Sequence, residues 1–216
     1  MIPEFEDPNP EYDSLRVAMA REMAEKLALI HTCDWQTLGF GDIMPVPESK
    51  QDCARLDLDV WEEYMERTLP EPSPIIERAM IWLRENQPND APAISLLKGN
   101  NGIGEEIWQG TNIVAICDWE LAHIGDPSED FSWCQGFRDS PDLMEVLIDH
   151  YTKISGIEPS LENIEYYSIF YLLKTFACLQ TGIGVYTSGK DFRVQLANMG
   201  LWSQQVMYQL AETIGL

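Results

Sequence analysis

Basic residues are scarce in this 216-residue sequence, and their scarcity excludes several kinds of partner. There are 14 Lys and Arg residues against 36 Asp and Glu residues, which gives a net charge of −22. A chain this acidic repels nucleic acid and anionic membrane surfaces. The acidic residues are interspersed with apolar ones, and 45% of the chain is hydrophobic, so they indicate a solvated acidic surface rather than a disordered tail.

The sequence also lacks the patterns of a disulfide framework, a zinc site and a membrane span. Its five cysteines are scattered without a Cys-x-x-Cys pair, and its three histidines do not cluster. Such dispersed cysteines in odd number are typical of reduced thiols. The N-terminus has neither the basic start nor the apolar stretch of a signal peptide, and Lys174 interrupts the longest apolar run. We therefore predict a cytoplasmic protein that binds no membrane.

Helical signals cover most of the chain. Apolar residues at helical spacing predict six helices, at about 14–31, 58–68, 74–85, 141–155, 159–180 and 192–214. Ser73-Pro74 and Ser140-Pro141 each place a capping residue before a Pro at the first helical position. Gly and Pro residues with little periodicity predict a loop over 36–56. Gly182-Ile183-Gly184 and Ser188-Gly189 predict a break before the last helix.

Strand signals are confined to the middle of the chain. Short apolar runs that end in polar residues predict strands at about 93–97 and 112–117, with a further strand at about 105–108. The fold class we predict is α+β and mostly helical, with one small β element at about 93–117. A length of 216 residues suits a single domain over residues 1–216.

Acidic residues follow the last of these predicted strands. Asp118 and Glu120 come at the strand exit, and Gly125-Asp126-Pro127 and Asp130 follow. A carboxylate that a buried strand holds in place is well suited to bind a metal ion. An Asp after a strand is also a common turn-former or helix cap. The residue types alone leave both interpretations open.

Residues 113–133, IVAICDWELAHIGDPSEDFSW, resemble the metal-binding segment of the aminoglycoside phosphotransferase / choline kinase-like family. In that family a buried strand ends in Asp-Trp-Glu or a close variant, and Gly-Asp-Pro and an acidic residue follow. The sequence of this segment is most similar to the family branch that is fused to some acyl-CoA dehydrogenases. That branch is associated with the phosphorylation of hydroxyacyl-CoA compounds. The resemblance implies a protein-kinase-like fold and ATP-dependent phosphorylation of a small-molecule hydroxyl group.

The segment that corresponds to the family's catalytic loop departs from the family pattern. The family has His-Gly-Asp, four residues and then Asn, whereas this chain has Lys98-Gly99-Asn100 and then Glu105. Asn100 stands where an Asp accepts the proton of the substrate hydroxyl, and an amide cannot act as a general base. Glu105 stands at a metal-binding Asn, and a carboxylate there still suits Mg²⁺.

The resemblance therefore implies a metal site with a defective catalytic position. The expected Mg²⁺ ligands are carboxylates: Asp118, Glu105 and Glu120. The catalytic position is Asn100, and no nucleotide-binding residues are assigned. Four further residues are expected to support the site structurally: Lys98, Gly99, Asp126 and His31. His31 in particular is expected to pack and form hydrogen bonds rather than to catalyse.

Residues 1–92 do not have the pattern of the small β-rich lobe that, in kinase-like enzymes, covers the phosphates and supplies a Lys. We expect the chain to correspond to the large C-terminal lobe alone, with the N-terminal lobe absent. ATP is then expected to bind only with a partner lobe, and the isolated chain is expected to be inactive.

Three interpretations follow for the function. The chain is the large lobe of a split phosphotransferase, a non-catalytic, pseudokinase-like binding or regulatory subunit, or a truncated product that retains its fold without a role. The expected partners are a separate N-lobe chain or further copies in a homo-oligomer, together with a small-molecule substrate. No nucleic acid is expected to bind.

Overall fold

Helices dominate the computed structural model, which describes residues 2–69, 73–134 and 136–215. The helices are α1 (Pro3–Glu6), α2 (Asp13–His31), α3 (Cys53–Thr68), α4 (Pro74–Glu85), α5 (Ser128–Ser132), α6 (Pro141–Ser155), α7 (Leu161–Thr187) and α8 (Val194–Thr213). The strands are β1 (Ser95–Leu97), β2 (Glu106–Gln109), β3 (Asn112–Ile116) and β4 (His123–Gly125). The predicted fold class, α+β and mostly helical, is confirmed.

The strands form two antiparallel pairs. β2 pairs with β3 through the turn at Gly110, with an irregularity in register between Ile107 and Trp108. β1 pairs with β4, so that Leu96 lies opposite Ile124. The sequence predicts no strand at β4, because three residues that end in glycine carry little strand signal of their own. Pairing with β1 supplies the backbone hydrogen bonds that hold β4 extended.

The chain forms two compact units. The first unit contains Met1–Cys53 and Asn89–Glu165, and the second contains Ala54–Pro88 and Tyr166–Leu216. The description of residues 1–216 as a single domain stays a prediction. The strands, the predicted metal ligands and the loop that follows β1 belong to the first unit.

The core of the first unit is formed where α2 packs against α6. Met23 and Leu27 on α2 are buried with Leu147 and Tyr151 on α6, and Phe131 on α5 lies in the same cluster. Its ring contacts that of Tyr151 edge-on, with 4.9 Å between centroids. This core fixes α5, which carries Asp130, against α2.

The core of the second unit combines α3, α4, α8 and the later part of α7. Its fully buried side chains include Leu58, Leu83, Phe170, Leu173 and Leu210. A buried ion pair also belongs to this unit: Lys174 donates a hydrogen bond of 2.6 Å to Asp57. The ammonium of Lys174 lies 4.2 Å from the centroid of the Phe170 ring, an additional stabilising contact.

α7 continues to Thr187, so the break predicted at residues 182–184 is wrong, whereas the break predicted at Ser188-Gly189 lies between α7 and α8. Gly182 lies so close to Met199 of α8 that a Cβ atom would overlap the Met199 sulfur. The glycine therefore serves close helix packing rather than a turn. α7 is long and apolar enough to cross a membrane. Buried core helices meet the same criterion of length and composition.

The predicted loop over residues 36–56 is shorter than expected. It contains 3₁₀ turns at Phe40–Asp42 and Lys50–Asp52, and α3 begins directly afterwards at Cys53. The Ser49 hydroxyl donates a hydrogen bond of 2.7 Å to Asp52, which closes the turn before the helix.

Candidate active site

The loop after β1 turns sharply at Gly99. Gly99 has a φ of 79°, and a Cβ atom at this position would overlap the backbone carbonyl of Leu121. A glycine accepts both the positive φ and the close approach without strain. The turn thus brings the segment from Lys98 to Glu105 directly against the segment that follows β3.

Asp130 on α5 anchors the start of this loop. Its two carboxylate oxygens accept hydrogen bonds of 2.9 Å from the Lys98 backbone N–H and 2.8 Å from the Gly99 backbone N–H. Asp130 is completely buried, and burial alone would raise the pKa of its carboxyl group. The hydrogen bonds that the carboxylate accepts from His31 and from the two backbone N–H groups outweigh burial, so the pKa of Asp130 is lowered. Asp130 therefore acts as an ionised anchor.

His31 orients the Asp130 carboxylate. At the end of α2, its Nε2 lies 2.9 Å from Asp130 Oδ2 and its Nδ1 lies 2.8 Å from the Tyr151 hydroxyl oxygen. When Nε2 donates to Asp130, Nδ1 accepts from the Tyr151 hydroxyl, which satisfies both ring nitrogens. The His31 side chain has no contact with solvent. The structure thus places it behind the loop, where it packs and forms hydrogen bonds.

Asn100 and Asp118 face each other across the candidate site. The Asn100 side-chain N–H donates a hydrogen bond of 2.6 Å to Asp118 Oδ2. Asp118 has a φ of 59° and is the only non-glycine residue with a positive φ in the described ranges. Asp tolerates this conformation better than most residues. The backbone turn directs the Asp118 carboxylate toward the loop.

Glu105 completes a carboxylate pair with Asp118. Burial raises the pKa of Glu105, and so do its hydrogen-bonding contact with Asp118 and the negative charges of Asp118 and Glu120. Two adjacent carboxylates repel each other when both are ionised. A divalent cation bound between them would offset that repulsion. Glu120 is exposed, and its link to the pair is the effect of its charge on Glu105. Glu105 and Asp118 are thus the two predicted ligands whose side chains contact each other.

Asp126 lies behind the site rather than in it. Its carboxylate accepts hydrogen bonds of 2.8 Å from the Ser128 backbone N–H and 2.7 Å from the Asn163 side-chain N–H. Burial raises its pKa to about 6, because the hydrogen bonds offset only part of the desolvation. The supporting role expected for Asp126 stays a prediction. Asn163 also donates to the Asp90 carbonyl and was not identified from the sequence.

Lys98 and Glu106 form a buried ion pair that the sequence does not predict. The Lys98 Nζ lies 3.6 Å from Glu106 Oε1, and the two side chains are 1% and 2% exposed. Lys98 follows β1 by one position and Glu106 is the first residue of β2. Lys and Glu at strand ends are usually solvent-exposed, so no sequence pattern marks this pair as internal. The pair joins the two ends of the loop that carries Asn100 and Glu105.

The profile of the phosphotransferase enzyme family matches residues 3–161 of the chain. A curated relative, acyl-CoA dehydrogenase family member 11 from Rattus norvegicus, is 24% identical over 192 residues. That alignment covers 80% of this chain but 24% of the relative, so the chain spans about a quarter of the relative's length.

Solved phosphotransferase structures share the fold. A Ralstonia eutropha protein assigned to the aminoglycoside phosphotransferases superposes with a TM-score of 0.73 at 19% identity, over 93% of this chain and 66% of its own. A ternary complex of aminoglycoside phosphotransferase APH(4)-Ia with AMP-PNP and hygromycin B superposes with a TM-score of 0.57 at 13% identity, over 94% of this chain and 66% of its own. The chain thus spans slightly less than two thirds of these proteins.

Proposed function

The chain belongs to the phosphotransferase enzyme family, and from this premise we propose that it provides the metal-binding part of an ATP-dependent phosphotransferase. The observation that carries the proposal is the convergence of the Glu105 and Asp118 carboxyl groups, with the Glu105 pKa raised by burial and by Asp118. An uncompensated carboxylate pair is costly, and a divalent cation offsets that cost.

Glu105 and Asp118 would hold Mg²⁺, and Glu120 would add negative charge at the edge of the site. In phosphoryl transfer a bound Mg²⁺ neutralises the charge that develops on the phosphate oxygens. The contribution of this chain is to position the two carboxylates. It does so through the turn at Gly99, which Asp130 fixes by two hydrogen bonds.

The nucleotide we propose is ATP, bound together with a partner lobe. The APH(4)-Ia relative forms a complex with AMP-PNP, an ATP analogue. In this chain Ile107 is 54% exposed on the outer face of β2, two positions from Glu105. An exposed apolar side chain so near the carboxylates suits a flat base whose phosphates extend toward the metal.

The substrate we propose is a small molecule with a hydroxyl group, and a hydroxyacyl-CoA compound is our first choice. The basis is the similarity to acyl-CoA dehydrogenase family member 11, together with the sequence of residues 118–127, Asp-Trp-Glu-Leu-Ala-His-Ile-Gly-Asp-Pro. Aminoglycosides are the second choice, because hygromycin B occupies the complex of a structural neighbour.

A second function is favoured by Asn100, namely that of a catalytically inactive binding or regulatory subunit. An amide does not accept a proton near neutral pH, so Asn100 cannot serve as general base. Its N–H also donates to Asp118, which occupies an oxygen that a metal ion would otherwise share. Loss of general-base catalysis lowers a rate by a factor of about 10² to 10⁴ where proton transfer matters.

Calorimetric titration with Mg·ATP, followed by a phosphotransfer assay, tests both functions. The assay uses a panel of hydroxyacyl-CoA compounds and a panel of aminoglycosides. We expect the isolated chain to transfer no phosphoryl group to either panel, and to gain activity only when a partner lobe is added. Tight Mg·ATP binding and turnover by the isolated chain would contradict the proposed dependence on a partner and the proposed defect at Asn100.

A further inference from the structure

The outer face of α8 is apolar, although its opposite face already packs into the core of the second unit. On the inner side Leu210 is fully buried. On the outer side Val194, Leu201 and Tyr208 are 69%, 69% and 70% exposed. These three residues, which we call the α8 stripe, recur every seven positions and therefore lie along one side of the helix. A helix that is apolar on two opposite sides is usually covered on both of them.

The α8 stripe is free of charge in a chain whose net charge is −22. No acidic or basic residue occurs between Arg193, which precedes α8, and Glu212 in its last turn. Acidic surfaces repel each other, so two copies of this chain approach most easily through a face without acidic residues. At physiological salt the Debye length is about 8 Å, which screens the acidic residues elsewhere on the two copies.

The charges that flank α8 are complementary to each other. Arg193 is paired with Asp191, so Lys190 supplies the net positive charge before the helix. Glu212 lies at the other end of α8, and both it and Lys190 are exposed. In the sequence each of them stands eleven positions from Leu201. Two α8 helices that run antiparallel and cross at Leu201 therefore bring the basic end of one to the acidic end of the other.

The exposed apolar area is a substantial part of what an interface needs. Trp202 follows Leu201 on the flank of the stripe and is 53% exposed. Large aromatic side chains bury about 150 to 250 Å² each, so Trp202 and Tyr208 together leave roughly 200 to 300 Å² exposed. A standard interface takes about 800 Å² from each partner. Val194, Leu201 and the uncharged polar residues beside them extend this area along a helix that is about 30 Å long.

We propose that a second copy of this chain covers the α8 stripe, in an antiparallel α8–α8 pair with Leu201 at the two-fold axis. Val194 of one copy then packs against Tyr208 of the other, and Leu201 packs against its own counterpart. The same patch serves both copies, as in the most common class of soluble dimer. The proposal is independent of the metal site, because none of the candidate ligands belongs to α8.

Substitutions at Leu201 test the two-fold arrangement. Sedimentation velocity of the full chain over a concentration series measures the dimer dissociation constant. Leu201→Glu and Leu201→Lys each place two like charges at the axis, so we expect each to raise that constant about a hundredfold or more. An equimolar mixture of the two variants places opposite charges there and should form the dimer again. Circular dichroism checks that both variants remain helical.

Leu161→Glu is the matched control. Leu161 begins α7 and is 66% exposed, nearly as much as Leu201, but it lies outside the α8 stripe. The same change of side chain there should leave the dissociation constant as it is in the wild type. A comparable loss of association in Leu161→Glu would show that added negative charge alone prevents the dimer, and would overturn the proposal.

Glu212→Lys tests the antiparallel direction. In an antiparallel pair it brings a positive charge to the Lys190 end of the second copy, so we expect the dissociation constant to rise about fivefold. In a parallel pair residue 212 faces its own counterpart, and like charges face each other before and after the substitution. An unchanged dissociation constant would therefore overturn the antiparallel arrangement.

Three further results would contradict the proposal. The first is a wild-type chain that stays monomeric up to about 100 µM. The second is a dimer that Leu201→Glu leaves intact, or a mixture of the two Leu201 variants that stays monomeric. The third is a monomeric chain that binds phosphatidylcholine vesicles and loses this binding in Leu201→Glu, which would assign the stripe to a lipid surface instead.

Discussion

The side-chain N–H of Asn100 donates a hydrogen bond of 2.6 Å to Oδ2 of Asp118. An Asp at position 100 would place a second carboxylate at this contact. The attraction between the Asn100 amide and the Asp118 carboxylate would then become a repulsion between two carboxylates. The amide thus stabilises the carboxylate pair of Asp118 and Glu105 while it removes the proton acceptor that the family pattern has at this position. Without a metal ion, the site is therefore more stable with an amide at residue 100, whereas general-base catalysis requires a carboxylate there.

The substitution Asn100→Asp tests this opposition. We expect the free energy of unfolding in EDTA to fall by about 2 kcal/mol, because a charge-assisted hydrogen bond is lost and a like charge is added. Saturating Mg²⁺ should recover most of the loss. Urea unfolding with EDTA or Mg²⁺ measures both effects. Asn198→Asp, which adds the same charge at an exposed position on α8, should change neither value. Equal stability of Asn100→Asp and wild type in EDTA would refute the expectation.

Gly99 is predicted to tolerate no side chain. Gly99→Ala would place a Cβ atom against the Leu121 carbonyl at a positive φ, so we expect a loss of about 3 kcal/mol in unfolding free energy. Gly104→Ala is the control in the same loop, because no atom lies within 4 Å of the added Cβ and the φ there is not positive. In chemical unfolding, Gly104→Ala should have nearly the same unfolding free energy as the wild type. Similar losses in the two variants would mean that the turn at Gly99 is not tight.

Asp130→Asn should weaken the anchor of the loop. An amide cannot accept from Lys98 N–H, Gly99 N–H and His31 together, so we expect a loss of about 3 to 5 kcal/mol at neutral pH. Burial raises the pKa of Asp130, but its hydrogen bonds lower the pKa by a larger amount. The pKa of Asp130 in the folded state therefore lies below its value in the unfolded state. The stability that ionised Asp130 contributes is then present above about pH 4 and lost as the pH falls through the folded pKa. The difference between wild type and variant should therefore shrink in acid, and a difference independent of pH would argue against an ionised anchor.

Asp126 should give the opposite pH dependence. Burial raises its folded pKa to about 6, above the unfolded value. Its contribution to stability is then complete below about pH 4 and is lost as the pH rises through 6, by about 3 kcal/mol in total. Asp126→Asn should remove this part of the pH dependence between pH 4 and 8. Unfolding curves of wild type, Asp126→Asn and the exposed control Asp139→Asn measure it. Identical pH profiles for all three proteins would contradict the assignment.

Local sequence signals predicted the helices well, because caps act within a few residues. Ser140-Pro141 starts α6 where expected, and Gly156, with a φ of 72°, ends it. The strand that leads into Asp118 was predicted for the same reason, since its apolar residues are contiguous. Where a single element and its ends decide the outcome, sequence reasoning was sufficient.

Features that depend on distant partners could not be predicted from the sequence. β4 exists because it pairs with β1, about 28 residues earlier in the chain. The anchoring role of Asp130 depends on two backbone N–H groups at positions 98 and 99 and on His31, and no local pattern joins these positions. Gly182 predicts a helix break from local sequence alone, because its contact with Met199 is a tertiary one. The acidic residue after Gly-Asp-Pro was nevertheless visible in the sequence, and its burial in α5 was the missing information.

The central claim is that Glu105 and Asp118 together bind a divalent cation. Titration of the chain with Mn²⁺, followed by electron paramagnetic resonance of the unbound ion, tests it directly because it needs neither nucleotide nor a partner lobe. We predict that the wild type removes about one Mn²⁺ per chain from solution, and that Asp118→Asn and Glu105→Gln remove none under the same conditions. A wild-type titration that coincides with that of Asp118→Asn would contradict the claim.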